Sequence, residues 1–168
     1  MILDVARLLL FPALMAFAAA SDLFTMTISN RVSLALAAGF LMLAVASGMG
    51  PSEIFSNLGA GASVLAVSFV CFAFGWIGGG DAKLAAATAL WMGWSLVLDF
   101  GTIAAVCGGF LTLGILAART LPLPPILERR AWIARLHDRK SGVPYGIALA
   151  AAGMAQYPHS HIWTAAVA

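Results

Sequence analysis

Apolar residues along the chain fall into six runs separated by short polar breaks. The runs cover about 2–20, 32–49, 58–77, 84–98, 100–118 and 143–156. A helix needs about 20 apolar residues to cross a bilayer, with a range of roughly 17–25. Four runs meet that length, whereas the fourth and sixth must borrow flanking residues. The pattern predicts an all-α membrane protein with six transmembrane helices, in which Asp99 and Gly101 separate the fourth run from the fifth.

The composition of the chain also indicates a membrane protein. The chain is 62% hydrophobic and 10% charged, whereas a soluble domain is about half apolar and a quarter charged. We therefore expect a single membrane-embedded domain over residues 1–168, with no soluble domain. Cys71 and Cys107 lie in separate apolar runs, so neither a metal site nor a cofactor is expected.

The basic residues predict how the chain is oriented. The loop at about 119–142 holds most of them: Arg119, Arg129, Arg130, Arg135, Arg139 and Lys140. Such a cluster favours a cytoplasmic loop and gives no reason to expect nucleic acid as a partner. Six spans then place both termini in the periplasm. Arg7 is the exception and is expected to snorkel to the interface; Tyr157 is expected there as an aromatic anchor.

Two aspartates stand at the ends of apolar runs. Asp22 closes the first run and Asp81 opens the fourth, so the orientation puts both at the cytoplasmic face. Ionisable groups at membrane depth are costly and are functional candidates. Two carboxylates brought together do not both ionise easily, which suits a pair that takes a proton from water and donates one to a peptide carbonyl. The alternative is structural, with Asp22 a polar helix end and Asp81 an N-cap.

Three glycines, Gly78, Gly79 and Gly80, stand directly before Asp81. Glycine adopts positive φ at little cost and lets another backbone come close. Irregular backbone at membrane depth is tolerated beside protein or a wet cavity. We therefore expect a glycine turn, with positive φ and close approach of another backbone, that ends in Asp81 and shapes a peptide cleft.

Three stretches carry a resemblance to a known family: GGGDAKLAAATALWMG at 78–93, ASDLFTMTISNR at 20–31 and VPYGIALA at 143–150. They resemble the motifs of the bacterial type IV prepilin peptidases, the GxGD membrane aspartic peptidases. The resemblance implies that Asp22 and Asp81 are catalytic. It also implies that the site is shaped by Gly78, Gly79, Gly80, Lys83 and Asn30.

Two departures from the family pattern refine the resemblance. Ser29 stands where the family usually has Pro, which is expected to loosen the loop after Asp22. The connection at 21–31 is also too short for the cytoplasmic zinc-binding insert of the larger enzymes. The chain is therefore similar to the short TadV/CpaA-like peptidases of tight-adherence (Flp) pilus systems.

The function implied by the resemblance is that of a membrane aspartic endopeptidase, which removes the short leader from type IV or Flp prepilins at the cytoplasmic face. Its partners would be a precursor with a basic leader before a hydrophobic helix, membrane lipid and the pilus assembly machinery. A small transporter or channel that uses the two aspartates for cations is the alternative, and a structural subunit of a secretion complex is a third. The sequence leaves open the particular pilin, the oligomeric state, which aspartate is the base and any N-methyltransferase activity.

Overall fold

A computed structural model describes residues 1–167, in which every regular element is a helix. The helices are α1 (Ile2–Thr25), α2 (Asn30–Ala46), α3 (Pro51–Ala73), α4 (Gly79–Ala118), α5 (Pro125–Glu128), α6 (Ala131–His137), α7 (Gly146–Gln156) and α8 (His161–Val167), with a 3₁₀ turn at Tyr157–His159.

Three helices, α1, α3 and α4, are long and apolar enough to cross a membrane. Helix α2 is also apolar but has only 17 residues, a length of about 25 Å at 1.5 Å per residue. The prediction of an all-α membrane protein is confirmed by these helices. The count of six transmembrane helices stays a prediction.

The predicted break at Asp99 is wrong, because α4 is helical through that residue and is interrupted at Gly93 instead. Gly93 has φ 61° and ψ −176°, a conformation that essentially only glycine adopts. The Asn57 amide of α3 donates to the Leu90 carbonyl at 2.9 Å, which satisfies a group that the interruption leaves free. Asp99 is exposed and fits a helix surface, so its charge does not mark a break.

Helix α4 folds back on itself at Gly93. A straight helix would hold Asp81 and Ala104 about 35 Å apart. Yet Tyr145 donates its hydroxyl to the Ala104 carbonyl at 3.2 Å and also lies close enough to Asp81 to interact with its charge. One tyrosine reaches both positions only if the two halves of α4 run side by side. The fourth and fifth apolar runs are therefore two arms of one helical hairpin.

An aromatic cluster fixes the centre of the bundle. Phe11 of α1 packs on Trp91 of α4, with ring centroids 5.1 Å apart, and stacks on Tyr157 at 4.5 Å. The Trp91 indole donates to the Leu36 carbonyl of α2 at 3.0 Å. Tyr157 is only 1% exposed, so its predicted place at the interface is wrong. Its stacking on Phe11 and its hydroxyl bond to the Arg7 carbonyl hold it in the core.

Arg7 is buried, so the prediction that it snorkels is wrong as well. Its guanidinium donates to the Ser47 hydroxyl at 2.9 Å, to the Ala46 carbonyl at 3.1 Å and to the Ala165 carbonyl at 3.0 Å, and it pairs with Asp4 at 3.2 Å. The carbonyls at a helix end lack partners within the helix, and a guanidinium offers five donors. Arg7 thus fastens α1, α2 and α8 together at the end of the bundle far from Asp22.

Helix α7 lies between α1 and α4 and sets the position of the site. Its Gly153 packs where a Cβ would come within 3.2 Å of Phe11, Met15 and Thr88. Such close packing over a small residue is typical of membrane helices. It brings the first residue of α7, Gly146, beside the last turn of α1.

Candidate active site

The structure brings Asp22 and Asp81 into one site. Asp22 lies in the last turn of α1 and Asp81 in the first turn of α4. Asp22 is 5% exposed, and the two carboxylates are close enough for their charges to interact. The two aspartates predicted from the sequence thus lie at the same end of the fold, and their catalytic role stays a prediction.

Helix α7 positions Asp22 through its first backbone amide. The Gly146 N–H donates to Oδ2 of Asp22 at 2.8 Å. A Cβ on Gly146 would lie 2.9 Å from the same oxygen and 2.7 Å from the side chain of Ile28. The absence of a side chain at residue 146 is therefore what lets the backbone reach the carboxylate.

Tyr145 anchors this end of α7 to the second arm of α4. Its ring occupies the space where a Cβ on Gly108 would be, and its hydroxyl is bonded to Ala104. The preceding residue, Pro144, is fully buried. Together they hold the start of α7, and with it the Gly146 amide, in a fixed place.

The three glycines before Asp81 act differently from the prediction. Gly78 has φ −71°, and Gly79 and Gly80 already belong to α4; the positive-φ glycines of the described chain are Gly48, Gly75 and Gly93. The prediction of a positive-φ turn is therefore wrong. What the glycines provide is space, since the chain enters the helix directly and its neighbours pack against bare backbone.

Each glycine has a different neighbour. A Cβ on Gly78 would lie 2.9 Å from Oδ2 of Asp81, and one on Gly80 would lie 3.1 Å from Cβ of Ile28. A Cβ on Gly79 would contact the Phe72 ring of α3 at 3.2 Å. Gly78 is thus the glycine in direct contact with the Asp81 carboxylate.

The loop between α1 and α2 passes between the two aspartate-bearing elements. Met26 ends α1 in the left-handed conformation, with φ 55°, which is uncommon for a residue other than glycine. The chain then turns back, so that Ile28 packs against both Gly80 and Gly146. Backbone strain of this kind is often found at functional sites, and here it places an apolar side chain beside the carboxylates.

Ser29 compensates for the proline that the family usually has. It takes φ −65°, the value that a proline ring would impose. Its hydroxyl also accepts the Arg31 N–H at 3.3 Å and so caps α2. The loop therefore ends in a helix cap, and its expected loosening stays a prediction.

The carboxylate pair has no basic partner. Across residues 1–167, neither aspartate forms an ion pair with Lys, Arg or His. In the same part of the chain, Oδ1 of Asp81 is the one buried side-chain oxygen or nitrogen without a hydrogen-bond partner. Two neighbouring carboxylates in such surroundings favour a state that shares one proton.

Lys83 and Asn30, predicted to shape the site, contact each other rather than the carboxylates. The Lys83 amine donates to Oδ1 of Asn30 at 2.8 Å. Both line an apolar fissure between α2, α3 and α4. On α4, Lys83 stands two residues after Asp81, which turns it to the opposite side of the helix.

A metal centre finds no support in the described chain. From residue 1 to residue 167, no three His, Cys, Asp or Glu side chains are grouped closely enough to hold a metal ion.

Fold and site together define a helical membrane protein with a paired-carboxylate site at the ends of two helices. The sequence profile of the type IV leader peptidase family matches residues 9–113, which is more than half of the chain and includes both aspartates. The chain belongs to this family and is a peptidase. No curated protein and no solved structure matches it.

Sequence reasoning missed the parts of the site that act through backbone and packing. Ile28, Gly108 and the amide of Gly146 carry no chemical side-chain signal. The stretch that includes Tyr145 and Gly146 was recognised only as a motif, and its contact with Asp22 spans 124 residues of sequence. Only the fold reveals that contact.

Proposed function

We propose that this leader peptidase is an aspartic endopeptidase, with Asp22 and Asp81 as its catalytic pair. The observation that carries the proposal is that two carboxylates, from helices distant in sequence, lie near each other. Within residues 1–167, no basic side chain pairs with either of them. One shared proton leaves one carboxylate as a base and the other as an acid, which is the arrangement that peptide hydrolysis needs.

In the proposed reaction a water molecule attacks the scissile carbonyl carbon. The ionised carboxylate takes a proton from that water, and the protonated one donates to the carbonyl oxygen. The tetrahedral intermediate then collapses and the C–N bond breaks. The amide nitrogen takes up the proton that the first carboxylate removed from water, and the second carboxylate regains a proton from a hydroxyl of the intermediate. The products are a leader ending in a carboxylate and a mature chain starting with an amine.

The proposed substrate is a type IV or Flp prepilin with a basic leader followed by a hydrophobic helix. The short connection between α1 and α2, with no room for an extra cytoplasmic domain, supports the short TadV/CpaA-like form. Membrane lipid surrounds the protein, and the pilus assembly machinery is a further proposed partner. The direct test is to reconstitute the purified chain with a Flp-type precursor in liposomes. The precursor should lose the mass of its leader, and a precursor of unchanged mass would refute the function.

A cation transporter receives less support from the position of the aspartates. Transporters bind ions near the bilayer midplane, where helices are interrupted. Here Asp22 and Asp81 lie at the ends of their helices. At the interruption of α4, the Asn57 amide donates a hydrogen bond to the Leu90 carbonyl. Gly93 itself carries no acidic side chain that could bind a cation.

The proposed orientation places the carboxylate pair at the cytoplasmic face of the inner membrane. The basic loop between α4 and α7 supports it. In the structure, Arg135 of this loop donates to the Phe24 carbonyl at 2.9 Å, so the loop lies at the same end of the bundle as Asp22. A reporter inserted within residues 122–140 should therefore read cytoplasmic.

The matching reporter belongs at the C-terminus. Ala168 itself lies outside the described residues, and a fusion after it should read periplasmic. A cytoplasmic signal from the C-terminal fusion would mean an odd number of spans, and a periplasmic signal from the loop would put the site on the wrong face.

A further inference from the structure

A fissure in the membrane-embedded part of the protein is left unexplained by the carboxylate site. It lies between α2 and α3, with the first arm of α4 as its floor, and has a volume of about 490 Å³. Helices α2 and α3 barely touch each other, although both pack on α4. Its walls include the exposed side chains of Leu34, Ala62 and Leu65, so the fissure opens sideways into the lipid.

All three helices line the fissure with the same spacing. Each contributes four residues at positions i, i+3, i+4 and i+7, beginning at Asn30 on α2, at Leu58 on α3 and at Lys83 on α4. Each stripe is one face of a helix over two turns, about 10 Å long. Aligned stripes of this kind form a straight groove, the shape that receives another helix.

On α3 and α4, the side chains in the middle of the stripes are small. Ala62 of α3 and Ala86 and Ala87 of α4 lie there. Without a hydrophobic effect to drive association, membrane helices pack where small residues let their backbones come close. This lining favours a helix over a loosely held lipid chain, which gains nothing from close backbone approach.

The polar end of the fissure is at the same end of the bundle as the carboxylate site. The Lys83–Asn30 pair closes that end. Asn30 is two residues from Ile28, which packs against Gly80 and Gly146. Lys83 lies near the start of α4, as Asp81 does, but on the opposite side of the helix. The mouth of the fissure and the carboxylates are therefore at the same end of the bundle, on opposite sides of the start of α4. A chain that leaves the site reaches the mouth by passing around that start, and the rest of the groove is apolar.

We propose that this fissure is the docking site for the hydrophobic helix of the precursor, the segment that follows the scissile bond. The inference rests on the proposed function. It separates two tasks, since the carboxylates cut the chain and the fissure holds the membrane-embedded part of the same substrate.

The test uses two substrates and one filling substitution. Ala62→Trp fills the fissure from an exposed position on α3, and Ala105→Trp, exposed on the second arm of α4 outside the fissure, is its matched control. One substrate is the full precursor in liposomes, and the other is a peptide with the leader and cleavage site but no hydrophobic helix. Ala62→Trp should raise KM for the precursor about tenfold, as loss of a binding contact does, and change kcat/KM for the peptide less than twofold.

Three other outcomes would overturn the inference, and each points to a different explanation. If Ala62→Trp leaves the precursor unaffected, the fissure holds only lipid. If it impairs both substrates equally, the fissure supports the site and does not dock the helix. If the unmodified protein cleaves neither substrate, the proposed function fails and the inference falls with it. Ala105→Trp should behave as the unmodified protein with both substrates.

Discussion

Asp22→Asn and Asp81→Asn should each abolish removal of the leader, with a loss of about 10³-fold or more. Proton transfer by a positioned side chain contributes roughly 10²–10⁴-fold to a reaction, and an amide of the same size cannot take up and release a proton. Both proteins should still insert. An Asn at residue 22 keeps an oxygen that accepts the Gly146 N–H, and either change removes one of two neighbouring negative charges.

Asp99→Asn is the matched control for these variants. Asp99 is an exposed aspartate on α4, so its substitution tests the general effect of removing a carboxylate. Mass spectrometry of the precursor, scaled to the inserted enzyme found by blotting, gives the specific activity. Near-normal processing by Asp22→Asn or Asp81→Asn would remove that aspartate from the mechanism.

Gly146→Ala and Gly78→Ala should each reduce specific activity by about 10²-fold while the yield of inserted protein stays close to normal. A methyl group at residue 146 would lie 2.9 Å from Oδ2 of Asp22, and one at residue 78 would lie 2.9 Å from Oδ2 of Asp81. Each carboxylate must then move, and misplacement by about 1 Å costs on the order of 10²-fold in rate.

Gly109→Ala separates this effect from a general intolerance of substitution. A Cβ on Gly109 has nothing within 4 Å, so its activity and yield should match those of the unmodified protein. Full specific activity in Gly78→Ala would show that the glycines are a passive connection, and the placement of Asp81 would then depend on other contacts.

The sequence predicts much of the site because its chemistry stands out against an apolar background. Few residues of the chain are charged, so Asp22 and Asp81 are conspicuous at the ends of their runs, and the surrounding motifs resemble one family. The glycines before Asp81 were also recognised, but positive φ, one of the two reasons given for them, was wrong. A position with positive φ and a position with close packing both require glycine. The sequence does not tell these two cases apart, because the difference lies in the backbone angle and in the atoms around the residue.

The fold was harder to predict where one residue satisfies another at long range. Asp99 looked like a break because charge is rare in an apolar run, whereas the interruption depends on the backbone of Gly93 and on the Asn57 amide. Arg7 and Tyr157 looked like interface residues because their side chains have polar ends. Both are buried because partners from other helices satisfy those ends, and such pairings leave no periodic pattern.

The most direct measurement of the central claim is whether residues 22 and 81 face each other in the membrane. Asp22→Cys and Asp81→Cys are combined in a protein whose own Cys71 and Cys107 are replaced by Ala, with a protease site inserted between α2 and α3. A short thiol-bridging reagent should hold the two fragments together after proteolysis, because the two carboxylates belong to one site. The pair Asp22→Cys with Asp99→Cys should not be bridged. Fragments that separate as readily for residues 22 and 81 as for this control would contradict the paired-aspartate site.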